Sequence, residues 1–356
     1  MLGPGAPRQH GGSPPPGAID FSAPSNPLGP PRRLRELVSE CAASRVYESY
    51  PSTKLYSELR SSISEFTELS EDSLVIANGS AELLSALPLA LRARRLIVVE
   101  PNFGDHLILS QSLGLPLTRL PMKPEGPAFK LDLEELARAA LRSERPAVIL
   151  MSRPNNPTGA MVSQGQVDEL LSRLPKDVYL VVDEAFIDLS PGGRSLGERE
   201  DLILLRSLTK DFSTPGLRLG VAATLNRRAL IAISGYMQAW PVDSITACAM
   251  SRYLSEREAK SYILEGREVV ARELPRMTQE LRRLGLLAFE SKAPFILIRH
   301  EKPNPEFASA LLKRGVYIRD ASSFYSLGPN YSRVSVRQRG QNDLLLRAVG
   351  EVMLGL

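Results

Sequence analysis

Two periods alternate along the chain. From Arg32 to Ala43, from Tyr56 to Phe66 and from Ser80 to Leu91, apolar residues return every three or four positions, the spacing that lines one face of a helix. Short runs of branched apolar residues follow: LIVVE (96–100), AVILMS (147–152), VYLVVDE (178–184), LILLRSL (202–208) and LGVAAT (219–224). Runs this short and this continuously apolar predict strands buried on both faces. Helical stretches at 131–143 and 163–174 fall between several of them, which predicts crossover units on a mainly parallel sheet. Past Pro241 come long charged helices to about Gly285, then the strand-like pieces LAFES, FILIRH, VYIRD and SRVSVR and a terminal helix. That second pattern predicts a smaller α+β unit.

Pro and Gly crowd the first thirty residues, so this segment is expected to be an extended arm ordered by docking. The chain of 356 residues is long for one core. The expected division is an arm and small-domain segment at 1–45, a large α/β domain at 46–245 and a small α+β domain at 246–356.

Composition narrows the function. With 43% hydrophobic and 24% charged residues and a net charge of +4, the chain has ordinary globular usage, and its arginines are spread rather than clustered. Nucleic-acid binding is not indicated. Cys41 and Cys248 lie far apart with no CxxC pair, so neither a disulfide framework nor a metal site is expected, and both thiols are read as reduced. The N-terminus lacks the apolar core of a signal peptide, and no apolar run reaches the roughly 18 residues of a membrane span. A cytoplasmic protein without membrane contact is the expectation.

Ligands of open α/β sheets bind beyond the carboxyl ends of the strands, so the polar residues there are the candidate chemistry. Five stretches qualify: NGSAE (78–82), EPNFGDH (100–106), SRPNNPTG (152–159), VVDEAF (181–186) and SLTK (207–210) with the later Arg218. Taken singly, each is explained by a turn, a helix start or a solvated charge. Their joint occurrence in this order carries the inference.

As a set they resemble the aspartate-aminotransferase superfamily of pyridoxal-phosphate enzymes, called fold type I, over about 50–337. The resemblance implies that Lys210 bonds the cofactor aldehyde, and that Ser207 and Arg218 grip its phosphate together with Gly79, Ser80 and Ala81 at a helix N-terminus. It implies that Asp183 keeps the ring nitrogen protonated, Asn156 bonds the ring oxygen and Phe103 stacks on the ring. Tyr56 matches a tyrosine that reaches the phosphate of the neighbouring subunit, implying a homodimer with shared sites, and Arg337 matches the arginine for the substrate carboxylate. Many relatives have Tyr where this chain has Phe186.

Three further stretches resemble one branch, the threonine-phosphate decarboxylases of cobalamin biosynthesis, kin of the histidinol-phosphate aminotransferases: HGGS (10–13) with IDFSAPSNPLGPP (19–31), DEAFID (183–188), and YIRDASSF (317–324). Ser13 and Ala321 depart from that pattern, which usually has Asn and Cys there. The resemblance assigns His10 and Arg319 to the phosphate of a small phosphorylated amino-acid substrate. It leaves an aminotransferase as the alternative activity and a non-catalytic regulator as a remote one.

Overall fold

The computed structural model describes residues 10–104 and 106–355; the first nine residues of the expected arm and Asp105 of the EPNFGDH stretch lie outside the described residues. The strands are β1 (Ile19–Asp20), β2 (Leu74–Ala77), β3 (Arg95–Glu100), β4 (Leu117–Pro121), β5 (Lys123–Glu125), β6 (Ala128–Lys130), β7 (Ala147–Ser152), β8 (Val178–Asp183), β9 (Leu202–Ser207), β10 (Gly220–Ala223), β11 (Leu287–Ala288), β12 (Phe295–Arg299), β13 (Val316–Tyr317), β14 (Arg319–Asp320) and β15 (Tyr331–Ser335). The helices are α1 (Arg32–Ala43), α2 (Thr53–Thr67), α3 (Ser80–Ala90), α4 (His106–Leu113), α5 (Leu133–Arg142), α6 (Gln164–Arg173), α7 (Leu208–Asp211), α8 (Arg227–Tyr236), α9 (Ser244–Leu254), α10 (Arg257–Arg283), α11 (Glu306–Leu312) and α12 (Arg339–Met353).

Seven strands form the main sheet in the order β2-β10-β9-β8-β7-β3-β4. Every neighbouring pair is parallel except those of β10, which runs antiparallel to both β2 and β9. Alternate residues of one strand enter opposite apolar layers: Val148 and Leu150 pack with α3 and α8 residues such as Leu83 and Ile233, whereas Ile149 and Met151 join Leu136, Val167 and Met250. Burial on both faces is the reason these strands read as unbroken apolar runs. The expected α/β class, a mainly parallel sheet beside a smaller α+β unit, is what forms.

The smaller sheet, β11-β12-β15-β14, is antiparallel and packs Ile296, Ile298 and Val334 against Val270 and Met277 of α10 and Leu345 and Val349 of α12. The arm is pinned to it. β1 pairs in parallel with β13, and Phe21 enters the same apolar cluster. VYIRD, which reads as one strand, divides at Ile318 into β13 and β14, which belong to different sheets.

One expectation is corrected. Cys41 and Cys248 form a disulfide, with Cα atoms 6.1 Å apart across 207 residues of sequence. Helices α1 and α9 pack side by side, which brings both cysteines within bridging range. Sequence spacing carries no trace of that proximity. Among the described residues, no helix is long and apolar enough to cross a membrane.

Candidate active site

Parallel neighbours end on the same side of a sheet, so the residues that follow β3, β7, β8 and β9 converge. They line a cleft of about 780 Å³ between the two units, together with the arm and the segment from Arg319 to Arg333.

Asp183 closes β8, and Lys210 sits in the single turn of α7 that follows β9. The Asp183 carboxylate accepts a hydrogen bond from the Ala185 amide at 3.0 Å. Burial pushes its pKa up to about 6, against the pull of that amide and of Lys210. Burial pushes the Lys210 amine down to about 8; nearby Arg333 and Arg218 act in the same sense and Asp183 opposes them. A lysine with a substantial neutral fraction near physiological pH is suited to carbonyl chemistry.

Beside Lys210 lies an anion cradle built by close backbone approach. Gly220 of β10 is in register with Ser207 on one side and Ala77 on the other, and the chain rising from Ala77 starts α3 directly above it. A Cβ on Gly220 would come within 2.6 Å of the Gly79 carbonyl carbon, so only glycine lets the α3 N-terminus settle there. Gly79 has φ +74° and lies against the Arg218 guanidinium, which also bonds the Pro215 carbonyl at 3.2 Å. Helix N–H groups and a forked cation thus meet at one corner, with Ser207 in register beside Gly220 and its hydroxyl 2.6 Å from that of Thr209, while Ser80 and Ala81 line the cleft itself. These residues fit a phosphorylated cofactor: the cradle supplies donors, and Lys210 and Asp183 offer an amine and a carboxylate beside it. Gly220 ends the GLRLG run, where local sequence carries no sign of the helix start that packs on it.

Asn156 and Phe103 both line the cleft. The loop carrying Asn156 is held by Asn155, whose amide donates to the Pro101 carbonyl at 3.0 Å and whose Oδ1 accepts from the Thr158 hydroxyl at 2.7 Å. Phe186 is buried and packs edge-on against Phe295, ring centroids 5.2 Å apart. His10 lies 5.8 Å, ring to ring, from Phe103.

The arm crosses the site. Gly12 N–H donates to Ser22 Oγ at 2.8 Å, and Asn26 bonds the backbone carbonyls of Lys210 and Asp211, both at 2.9 Å. Order in this Pro-rich segment therefore comes from docking.

Two predicted residues lie in neither the cleft nor this corner. Arg337 turns away, its Nε donating to the Asp20 carbonyl at 2.9 Å and its backbone N–H to Asn342 Oδ1 at 2.9 Å. The arginine of SRVSVR that does line the cleft is Arg333. A strand advances about 3.3 Å per residue, so four residues carry Arg337 roughly 13 Å further, past the end of β15. Sequence alternation gives both arginines the same parity and could not separate them. Tyr56 donates to the Val242 carbonyl at 2.7 Å and accepts from the Val242 amide at 2.9 Å, outside this chain's cleft.

Arg333 is fully enclosed and, among the described residues, has only neutral hydrogen-bond acceptors: Nη1 donates to Asn156 Oδ1 and Nη2 to the Ser22 carbonyl at 2.7 Å. Its Nε is buried without a partner among the described residues. Burial, reinforced by Arg319, brings its pKa down to about 9. Arg319 is its direct cross-strand partner, on β14, and donates to Ser323 Oγ at 2.7 Å.

Comparison with known proteins agrees with this geometry. The family model described as aminotransferase class I and II matches residues 16–349. A Caldanaerobacter subterraneus subsp. tengcongensis protein that carries a provisional threonine-phosphate decarboxylase name is 30% identical over 336 residues, covering 91% of this chain and 87% of that one. A histidinol-phosphate aminotransferase of Aquifex aeolicus is 29% identical over 355 residues, covering 96% and 94%. The structure of a histidinol-phosphate aminotransferase from Clostridium acetobutylicum superposes with a TM-score of 0.83 at 23% identity, over 94% of this chain and 99% of that one.

Proposed function

Because the chain belongs to the aminotransferase class I and II family, whose enzymes use pyridoxal phosphate, we propose that it decarboxylates L-threonine O-3-phosphate to (R)-1-amino-2-propanol O-2-phosphate and CO2, a reaction of cobalamin biosynthesis. The observation that carries this reading is the register of Arg319 opposite Arg333. Like charges directly opposed on neighbouring strands are destabilising, and here both guanidiniums border the cleft. A substrate with a carboxylate at one end and a phosphate at the other supplies an anion to each.

Pyridoxal phosphate supplies, when bound, an aldehyde for the amine and a ring that accepts the electron pair released at the substrate Cα. Gly79, Ser80, Ala81, Ser207 and Arg218 hold its phosphate, Asn156 its ring oxygen and Phe103 its face. Asp183 keeps a proton at the ring nitrogen. Arg333 would orient the substrate carboxylate, whose bond to Cα is the one that decarboxylation breaks. Arg319 and His10 bind the distal phosphate, and the arm excludes water. Lys210 delivers to Cα the one proton that replaces the departing CO2. Tyr56 completes the site of a second copy in a homodimer.

The identity to the Aquifex aeolicus aminotransferase favours a second reading, transamination, in which Lys210 would take the proton from Cα. Histidinol phosphate carries no carboxylate for Arg333, whereas a dicarboxylic amino donor does. Incubation of the cofactor-loaded protein with L-threonine O-3-phosphate and no 2-oxo acid separates the two. Steady release of CO2 and aminopropanol phosphate supports decarboxylation; glutamate formed only from histidinol phosphate and 2-oxoglutarate replaces it with transamination.

A further inference from the structure

The cleft has a third arginine that no assigned role absorbs. Arg119 lies on the edge strand β4, and its guanidinium stacks over the ring of Tyr325, 4.1 Å from the centroid. Tyr325 belongs to the loop between β14 and β15, so this stack bridges the cleft from the main sheet to the small unit. The preceding residue, Phe324, carries the Arg319 guanidinium on its own ring at 5.3 Å. Two consecutive aromatic rings therefore present two guanidiniums of different origin to one cleft.

We propose that Arg119 is a specificity-determining residue that, with Arg319, grips the distal anionic group of the substrate; the inference rests on the phosphorylated-substrate reading above. Among the described residues Arg119 has a long ion pair to Glu100, Nε to Oε1 3.8 Å, and the Tyr325 stack, and neither satisfies its buried Nε–H with a hydrogen bond. Glu100 ends β3 and lines the same cleft. Burial pushes its pKa up to about 7, so near neutrality a large fraction is protonated and does not repel an incoming anion. A phosphate has three free oxygens and can accept two guanidinium forks from different directions. One fork comes from the sheet edge and the other from the small unit, and both line the cleft that Arg333 lines.

The test uses the cofactor-loaded protein and two ligands, L-threonine O-3-phosphate and L-threonine, with dissociation constants read from the change in the cofactor's visible absorption. In Arg119→Gln the preference for the phosphorylated ligand is expected to fall about 10- to 100-fold, the range of a hydrogen bond to a charged group, with binding of L-threonine little changed. Tyr325→Leu removes only the stacking ring, which is half exposed, and is expected to lower the same preference about 2- to 5-fold; it carries the test if Arg119→Gln does not fold. A wild-type protein that prefers the phosphorylated ligand, with variants that keep that preference, overturns the role of Arg119 and leaves the functional reading standing. A wild-type protein with no preference overturns both.

Discussion

A side chain at Gly79 has no room: its Cβ would stand 2.9 Å from Cζ of Arg218, and its φ of +74° is one that other residues rarely adopt. The α3 N-terminus and the Arg218 fork are thus held in mutual contact before any ligand arrives, which is how a cradle is made without paying for its assembly on binding. Gly79→Ala is expected to weaken pyridoxal phosphate by at least about 10-fold and to cost about 1–3 kcal/mol of stability through backbone strain. Titration of the cofactor into the cofactor-free variant measures the first; wild-type affinity would contradict the close contact.

Arg333→Lys keeps a charge but loses the fork that bonds Asn156 and Ser22 at once. Its kcat/KM is expected to fall about 100- to 1000-fold with cofactor binding retained. Arg337→Lys, whose target is a backbone carbonyl of the arm, should leave kcat/KM within about 10-fold of wild type. The reverse ranking of the two variants would restore Arg337 as the carboxylate residue.

Lys210 makes the cofactor-free protein's stability depend on alkaline pH. Its folded pKa is about 8 and the ordinary lysine value is 10.5, so between those limits the unfolded chain holds a proton that the folded chain has released. Stability therefore rises with pH across that window, by on the order of 3 kcal/mol from this group. In Lys210→Met this contribution vanishes, and the gap between variant and wild type in urea unfolding should narrow from pH 7.5 towards 10.5. A constant gap would show that the amine is not buried as described.

The disulfide ties α1 to α9 and closes a 207-residue loop. The unreduced, unfolded protein is expected to show no free thiol, and Cys41→Ser to lose about 2–4 kcal/mol in denaturant unfolding. Two free thiols in the untreated protein would refute the bridge.

Element type was legible in the sequence wherever a segment buries both faces or one helical stripe. AVILMS coincides with β7, and Arg32 to Ala43 with α1, because apolar period alone specifies such segments. β4, an edge strand reading LTRLP, and the short β2 carry too little pattern to stand out. Motifs at strand ends were legible because the chemistry demands particular residue types there. Lys210, Asp183, Asn156, Phe103, Ser80 and Ala81 do meet around one cleft, with Gly79 against Arg218 where α3 begins and Ser207 in register with Gly220 beside them.

What the sequence alone determined was the class of fold, the cofactor and the order of the strand-end motifs, since each rests on local pattern or on a residue type within a few positions of a strand. What only the tertiary structure decided was which of two arginines in SRVSVR lines the cleft, that Cys41 meets Cys248, and that Arg119 reaches across to Tyr325. Those relations join residues distant in the chain, through strand register and helix packing. Periodicity says which face of an element is buried and is silent on what it is buried against.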